Sequence, residues 1–289
     1  MILGLKLEYK ASLKSTDSEE ILDLLIYRPI SFLFVKAILN TNITPNQISY
    51  AALFFGVLAG FFYAFGVGLP FTLAATSFFI CNTLDCADGQ LARLKHNGTK
   101  VGRIIDGFID YITAISTFIG IGVALKLSGT LEFPWILTIV AAFSRAFQNM
   151  LFDFYRNMYL RYVYYKVSGI DEEIKEFEEE KERLKKENGS AFEKFLVNIY
   201  LKYSKMQKNV NKVPALKISP EEYKNKNQFM LRLWSWLGST THLTLAIIFT
   251  LFDRVDIYLY LTITLGNFIL IVLFIIQKRI ISEKPKGND

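Results

Sequence analysis

The chain has 289 residues, 52% hydrophobic and 15% aromatic, with a net charge of +6 and a mean hydropathy of +0.27. That balance is too apolar for an ordinary soluble domain. The basic excess suits anionic lipid headgroups, and without a groove-reading motif it does not point to nucleic acid as a partner. Cys81 and Cys86 offer neither a disulfide framework nor a zinc spacing and are expected to pack as small hydrophobes.

At the N-terminus, "MILGLKLEYKASLK" lacks a sustained apolar core, so no signal peptide is expected. Residues 15–40 predict a helical approach to a membrane, with Thr16 and Glu19 spaced as a capping box. After Pro29, "ISFLFVKAIL" is apolar on most faces but too short to span, which predicts an interfacial helix. In "NITPNQIS", Thr44 can cap the next helix and Pro45 suits its first position. Asn46 then lies among orphan amides, a place for an anion.

Apolar runs at 46–66, 70–91, 104–125, 133–155, 233–252 and 256–277 predict six transmembrane helices and an all-α integral membrane fold. Arg93, Lys95, Lys100 and Arg103 fill one loop, 164–230 is rich in Lys and Arg, and the tail holds Lys278, Arg279, Lys284 and Lys286. The opposite loops hold only Lys126 and Arg254. This bias puts both termini, the 92–103 loop and the 164–230 segment in the cytoplasm. The expected organisation is an N-terminal segment 1–42, a catalytic core 43–163, a charged insertion 164–230, spans five and six within 231–279, and a tail 280–289.

Four carboxylates interrupt the second and third runs. Asp85, Asp88, Gly89, Ala92 and Arg93 share one helical stripe, and Gly102, Asp106 and Asp110 repeat at four on the next helix. The short "LKHNGTKV" link predicts that the two helices are antiparallel neighbours, with the acids converging near the cytoplasmic face. Charges there cost a few kcal/mol each and need cations, and Arg93 and Arg103 are too few to neutralise them. Two divalent ions would suffice. Oxygen ligands without His or Cys point to Mg²⁺ or Mn²⁺, and a pair of such ions ~4 Å apart suits phosphoryl chemistry. Gly89 and Ala92 leave a bare strip for a base or a diphosphate, or alternatively for close helix packing.

The string Asp85-x2-Asp88-Gly89-x2-Ala92-Arg93-x8-Gly102-x3-Asp106-x3-Asp110 resembles the signature of the CDP-alcohol phosphotransferases, integral membrane enzymes of phospholipid synthesis. "TPNQIS" is similar to that family as well. The resemblance implies that Asp85, Asp88 and Asp106 hold the metals, with Asp110 close to the second ion and acting as general base. It implies that Gly89, Ala92 and Gly102 line the cytidine pocket with Arg93 near it, and Asn46 is grouped with these CDP-binding residues. It further implies attack of an acceptor hydroxyl on the phosphorus bearing the alcohol, release of CMP, and a homodimer.

On the fourth span Ser144, Arg145, Gln148, Asn149, Asp153 and Arg156 form a polar stripe. Arg145 is read as an acceptor-pocket residue for an anionic group, and Asp153 with Arg156 as a helix-stitching pair. His242 on the fifth span is read as a hydrogen-bonding bundle residue and His96 as solvated. Trp234, Trp236 and the tyrosines at 162–165 suit an interfacial belt. In the insertion, Ile174, Phe177 and Leu184 make a thin apolar stripe. Phe192, Phe195, Leu196, Ile199, Tyr203 and Met206 make a broader one opposite lysines. These predict either a basic amphipathic helix on the membrane surface or a solvated helix pair packed on itself.

The leading functional reading is transfer from CDP-diacylglycerol to a small polar alcohol. The alternative reverses the arrangement, with a CDP-amino-alcohol donor and diacylglycerol as acceptor. A cation or proton transporter and an idle scaffold are the competing classes. A transporter of the two-halved kind would carry a mirrored acidic set, and no internal repeat is visible.

Overall fold

The computed structural model describes residues 2–164, 170–187, 190–210 and 219–282. Tyr165, Lys284, Lys286 and most of the tail lie outside the described residues, as do 211–218 of the link back to the fifth predicted span. The described residues form helices and turns with no strand. The α-helices are α1 (Ile2–Ser12), α2 (Arg28–Ile38), α3 (Pro45–Tyr63), α4 (Leu69–Lys95), α5 (Lys100–Ser128), α6 (Pro134–Tyr164), α7 (Ile170–Lys186), α8 (Ala191–Val210), α9 (Pro220–Trp234), α10 (Ser239–Leu251), α11 (Val255–Leu261) and α12 (Asn267–Ser282).

Every predicted span has a helix, but among the described residues four helical stretches are long and apolar enough to cross a membrane: 45–63, 100–128, 134–164 and 255–280. The other two differ for separate reasons. α4 is long but carries Asp85, Asp88, Arg93 and Lys95, and α10 has only 13 residues after a short 3-10 turn at Ser235–Leu237. Large apolar side chains point outward along the crossing helices, including Phe54, Ile115, Ile119, Phe143 and Phe268. Such a surface belongs against lipid rather than water.

Local signals explain the helix ends. Thr44 and Gln47 form the reciprocal cap of α3, with Thr44 Oγ1 accepting the Gln47 N–H at 3.3 Å and Gln47 Oε1 accepting the Thr44 N–H at 2.9 Å. Thr99 caps α5 by accepting from the Gly102 N–H at 2.9 Å. The proposed Thr16–Glu19 box does not form. Glu19 accepts from the Lys14 N–H at 3.0 Å and pairs with Arg28 at 2.9 Å. Just before Pro29, the Arg28 N–H bonds to the Asp23 carbonyl in a π turn at Asp23–Tyr27, since proline cannot supply a normal helical donor.

α3 packs lengthwise against both α4 and α5. Small residues permit the closeness: a Cβ on Gly120 would lie 2.1 Å from the Gly60 carbonyl oxygen, and one on Gly56 would meet Thr113. α4 and α5 also meet each other, as their short link suggested, since carboxylate oxygens of Asp85 and Asp88 lie within 4.8 Å of one of Asp106 and both helices contribute to the same core. They share α3 and face each other across a polar cleft. A second core joins α6, α9 and α12 around Trp234, which is fully buried and donates to Gln277 at 3.2 Å. Trp234 is thus a core residue rather than part of an interfacial belt, whereas Trp236 is exposed.

The N-terminal segment is built into the bundle. Glu20 is buried and accepts from the Thr240 and Thr241 amides at 3.1 and 3.3 Å, at the first turn of α10. Asp23 accepts from the Thr240 hydroxyl at 2.9 Å. Burial, followed by the charge of Asp23, pushes the Glu20 carboxyl up to about 8 from an ordinary 4.5. The stability tied to its proton is complete below the unfolded value and is lost as pH rises through the folded one. We expect the melting temperature to fall by several degrees between pH 6 and 9, and Glu20→Gln to flatten that fall. An unchanged pH profile in a thermal-shift measurement on the variant would reject this assignment.

Candidate active site

The two acidic helices, both packed on α3, bring their carboxylates together at the cleft. Asp85, Asp88 and Asp106 each offer a carboxylate oxygen within 4.8 Å of the others. Asp88 is buried and accepts from the Ser49 hydroxyl of α3 at 2.5 Å. Among the described residues, Asp85, Asp88, Asp106 and Asp110 make no ion pair. Three clustered carboxylates without a cationic partner repel one another, and an all-oxygen donor set of this kind fits a hard divalent cation.

Asp110 stands one turn beyond Asp106 and outside the 4.8 Å group. Its side chain is exposed, and it lies within electrostatic range of Asp106 and of Arg145 and Arg156 on α6. Arg145 is half-buried, rests 5.8 Å from the Phe118 ring, and makes no ion pair among the described residues. Arg156 pairs with Asp153 at 2.8 Å one turn away on α6 itself, so the pair joins two turns of one helix and does not stitch α6 to another. Gln148, Ser144 and Asn267 tie α6 to the turn before α12: Gln148 donates to the Thr262 carbonyl at 2.9 Å and Asn267 donates to Ser144 at 3.0 Å. That part of the polar stripe is structural.

The nucleotide-side residues also come together. A Cβ on Gly102 would sit 3.0 Å from both Asn46 Oδ1 and Thr99 Oγ1, so the starts of α3 and α5 meet there. A Cβ on Gly89 would meet the Arg93 guanidinium at 3.2 Å, so the strip read as bare carries that cation. Arg93 is held by an Nε bond to the Ser12 carbonyl at 2.5 Å, while its buried Nη2 has no hydrogen-bond partner. Ala92 is half-buried on the same face, with Gly98 beside it.

Several residues here escaped the sequence reading. Arg28 reaches α4, donating to the Cys86 carbonyl at 3.2 Å, and its charge acts on Asp85. Burial opposes the charge on Glu19, but Arg28 and the Lys14 amide more than offset this and hold its carboxyl below the usual range. Gln90 is fully buried, accepts from Ser31 at 2.6 Å and donates to the Ser12 hydroxyl at 3.2 Å. A signal existed for each: Ser49 lies in the "TPNQIS" string, while Arg28 and Gln90 are strongly polar residues in apolar surroundings. Both cysteines are free and buried, as expected, and His96 is exposed. His242 is buried, but neither ring nitrogen has a partner, so it is not the hydrogen-bonding bundle residue that was expected.

Among the described residues, a helical bundle with membrane-length helices and a cluster of aspartates that can hold a metal defines the class: an all-α membrane protein with a candidate metal site. The particular family follows from comparison. Residues 42–169 match the CDP-alcohol phosphatidyltransferase family model, that of a phosphotransferase family. Transferase activity in lipid biosynthesis and use of divalent metal go with that family, and the aspartate cluster can hold such a metal. No curated protein matches the chain.

Proposed function

We propose that the protein transfers a phosphoalcohol group, specifically phosphatidyl, from CDP-diacylglycerol to the hydroxyl of a small polar alcohol, releasing CMP. The observation that carries this reading is the convergence of Asp85, Asp88 and Asp106 within 4.8 Å inside the matched domain. In this reading Asp85, Asp88, Asp106 and Asp110 hold two Mg²⁺ or Mn²⁺ ions, which supply charge neutralisation for the diphosphate and the leaving CMP when bound. Gly89, Ala92, Gly102 and Asn46 shape the CDP pocket, with Arg93 presenting its free Nη2 to an anionic oxygen. Asp110, the most exposed of the four, takes the proton from the acceptor hydroxyl as that oxygen bonds to phosphorus and the bond to the CMP oxygen breaks.

The six helical segments cross the membrane with both termini and the acidic cleft on the cytoplasmic side, and the enzyme acts as a homodimer. The basic loops support that orientation. An unpaired Arg145 within reach of Asp110 favours an acceptor bearing an anionic group. The test is to incubate purified protein with Mg²⁺, labelled CDP-diacylglycerol or CDP-choline, and a panel of alcohols. CMP formation with CDP-diacylglycerol and a phosphorylated alcohol supports the reading, and product only from CDP-choline with diacylglycerol replaces it. In the same assay Arg145→Ala is expected to raise the acceptor KM about tenfold or more while leaving CDP binding unchanged, as loss of one charge-assisted contact would. An unchanged acceptor KM removes Arg145 from the pocket.

A further inference from the structure

The α7–α8 hairpin has two apolar faces, and one of them is uncovered. Leu196, Val197 and Leu201 of α8 pack with Ile174, Phe177 and Leu184 of α7 onto Val101, Ile104, Ile105 and Ile109 of α5. Lys100 Nζ donates to the Glu176 carbonyl at 3.2 Å and the Arg103 guanidinium lies 5.6 Å from the Phe177 ring, which fixes the hairpin to the first turns of α5. The second face is Phe192, Phe195 and Ile199, exposed by 47%, 57% and 51% and spaced by three and four along one stripe. Asn198 and Lys202, both exposed, and half-buried Lys194 border it.

The height of this stripe is set by α5. Immediately beyond the residues the hairpin covers, α5 turns Phe108, Tyr111, Ile115 and Ile119 outward, within a helix of membrane-crossing length. The hairpin is thereby held where α5 enters the apolar layer. We infer that α8 is an interfacial helix that inserts Phe192, Phe195 and Ile199 at the boundary of headgroups and acyl chains, with Lys194 and Lys202 on anionic phospholipid headgroups. An amphipathic helix of this kind binds through buried apolar area together with attraction to negative lipid. The hairpin is both a packed helix pair and a membrane-surface element, because its two apolar stripes point different ways. The inference rests on the membrane-length helices and not on the proposed reaction.

The experiment uses the full chain in nanodiscs of phosphatidylcholine and phosphatidylglycerol. Phe195→Cys and Asn198→Cys are labelled separately with an environment-sensitive fluorophore, the native Cys81 and Cys86 being buried. Lipid-borne nitroxide is expected to quench the label at 195 roughly threefold more than that at 198, and aqueous iodide the reverse, as for a half-immersed helix. Replacing phosphatidylglycerol with phosphatidylcholine is expected to narrow both differences. Equal iodide quenching at the two positions would show a solvated hairpin. Shielding of 195 from both quenchers would show that protein covers the stripe, and no response to lipid charge would remove the lysine–headgroup contact; each result overturns the inference. A Phe192→Cys reporter repeats the measurement should the 195 variant be poorly folded.

Discussion

Asp110→Asn is expected to lower CMP release by about 10³-fold, the scale of losing a general base, while metal-assisted CDP binding stays within a few fold of the native protein. The split follows from position. Asp85, Asp88 and Asp106 gather within 4.8 Å, whereas Asp110 stands a turn away, exposed and within electrostatic range of Arg145. A carboxylate so placed can reach an incoming hydroxyl without surrendering the cluster. Single-turnover assays with the CDP-linked donor, alongside calorimetric titration of CDP in Mn²⁺, separate the two quantities. If binding and turnover fall together, Asp110 is chiefly a ligand; if CMP release is unchanged, it is not the base.

Asp85→Asn is expected to act in the opposite sense on two other measurements. Removing one charge from three mutually repelling carboxylates should raise the melting temperature of the metal-free protein. The same change should abolish the further rise that Mg²⁺ or Mn²⁺ gives the native protein, since a ligand that binds only the folded state stabilises it. CMP release should fall by at least about 10²-fold through the loss of Lewis-acid charge stabilisation, worth several kcal/mol. A residue that merely supported the fold would lower the metal-free melting temperature instead. Chelation of the native protein should reproduce the activity loss without the gain in metal-free stability.

The family resemblance and the acidic cluster were legible because their signals are local. Asp85, Asp88 and Gly89 share a face through helical periodicity alone, and Thr44 with Pro45 announces the start of α3 within two residues. Other readings missed where a distant partner outcompeted a near one. Thr16 and Glu19 have capping-box spacing, yet Glu19 is claimed by Arg28, and the segment is anchored instead by Glu20 on the first turn of α10. Trp234 looked interfacial by composition but is enclosed by Tyr155, Tyr159 and Met230.

Sequence alone determined the helical class, the outward apolar surfaces, the carboxylate stripes and their call for a hard cation, because each depends on residue type and on the fixed repeat of a helix. Only the tertiary structure decided that α3 packs against both α4 and α5, that Arg28 and Ser49 join the cleft, and that α8 keeps one apolar stripe uncovered. Those outcomes depend on contacts between residues far apart in the chain. Small residues such as Gly60 and Gly120 permit the close crossing that fixes them, and no local pattern records which helix will arrive there.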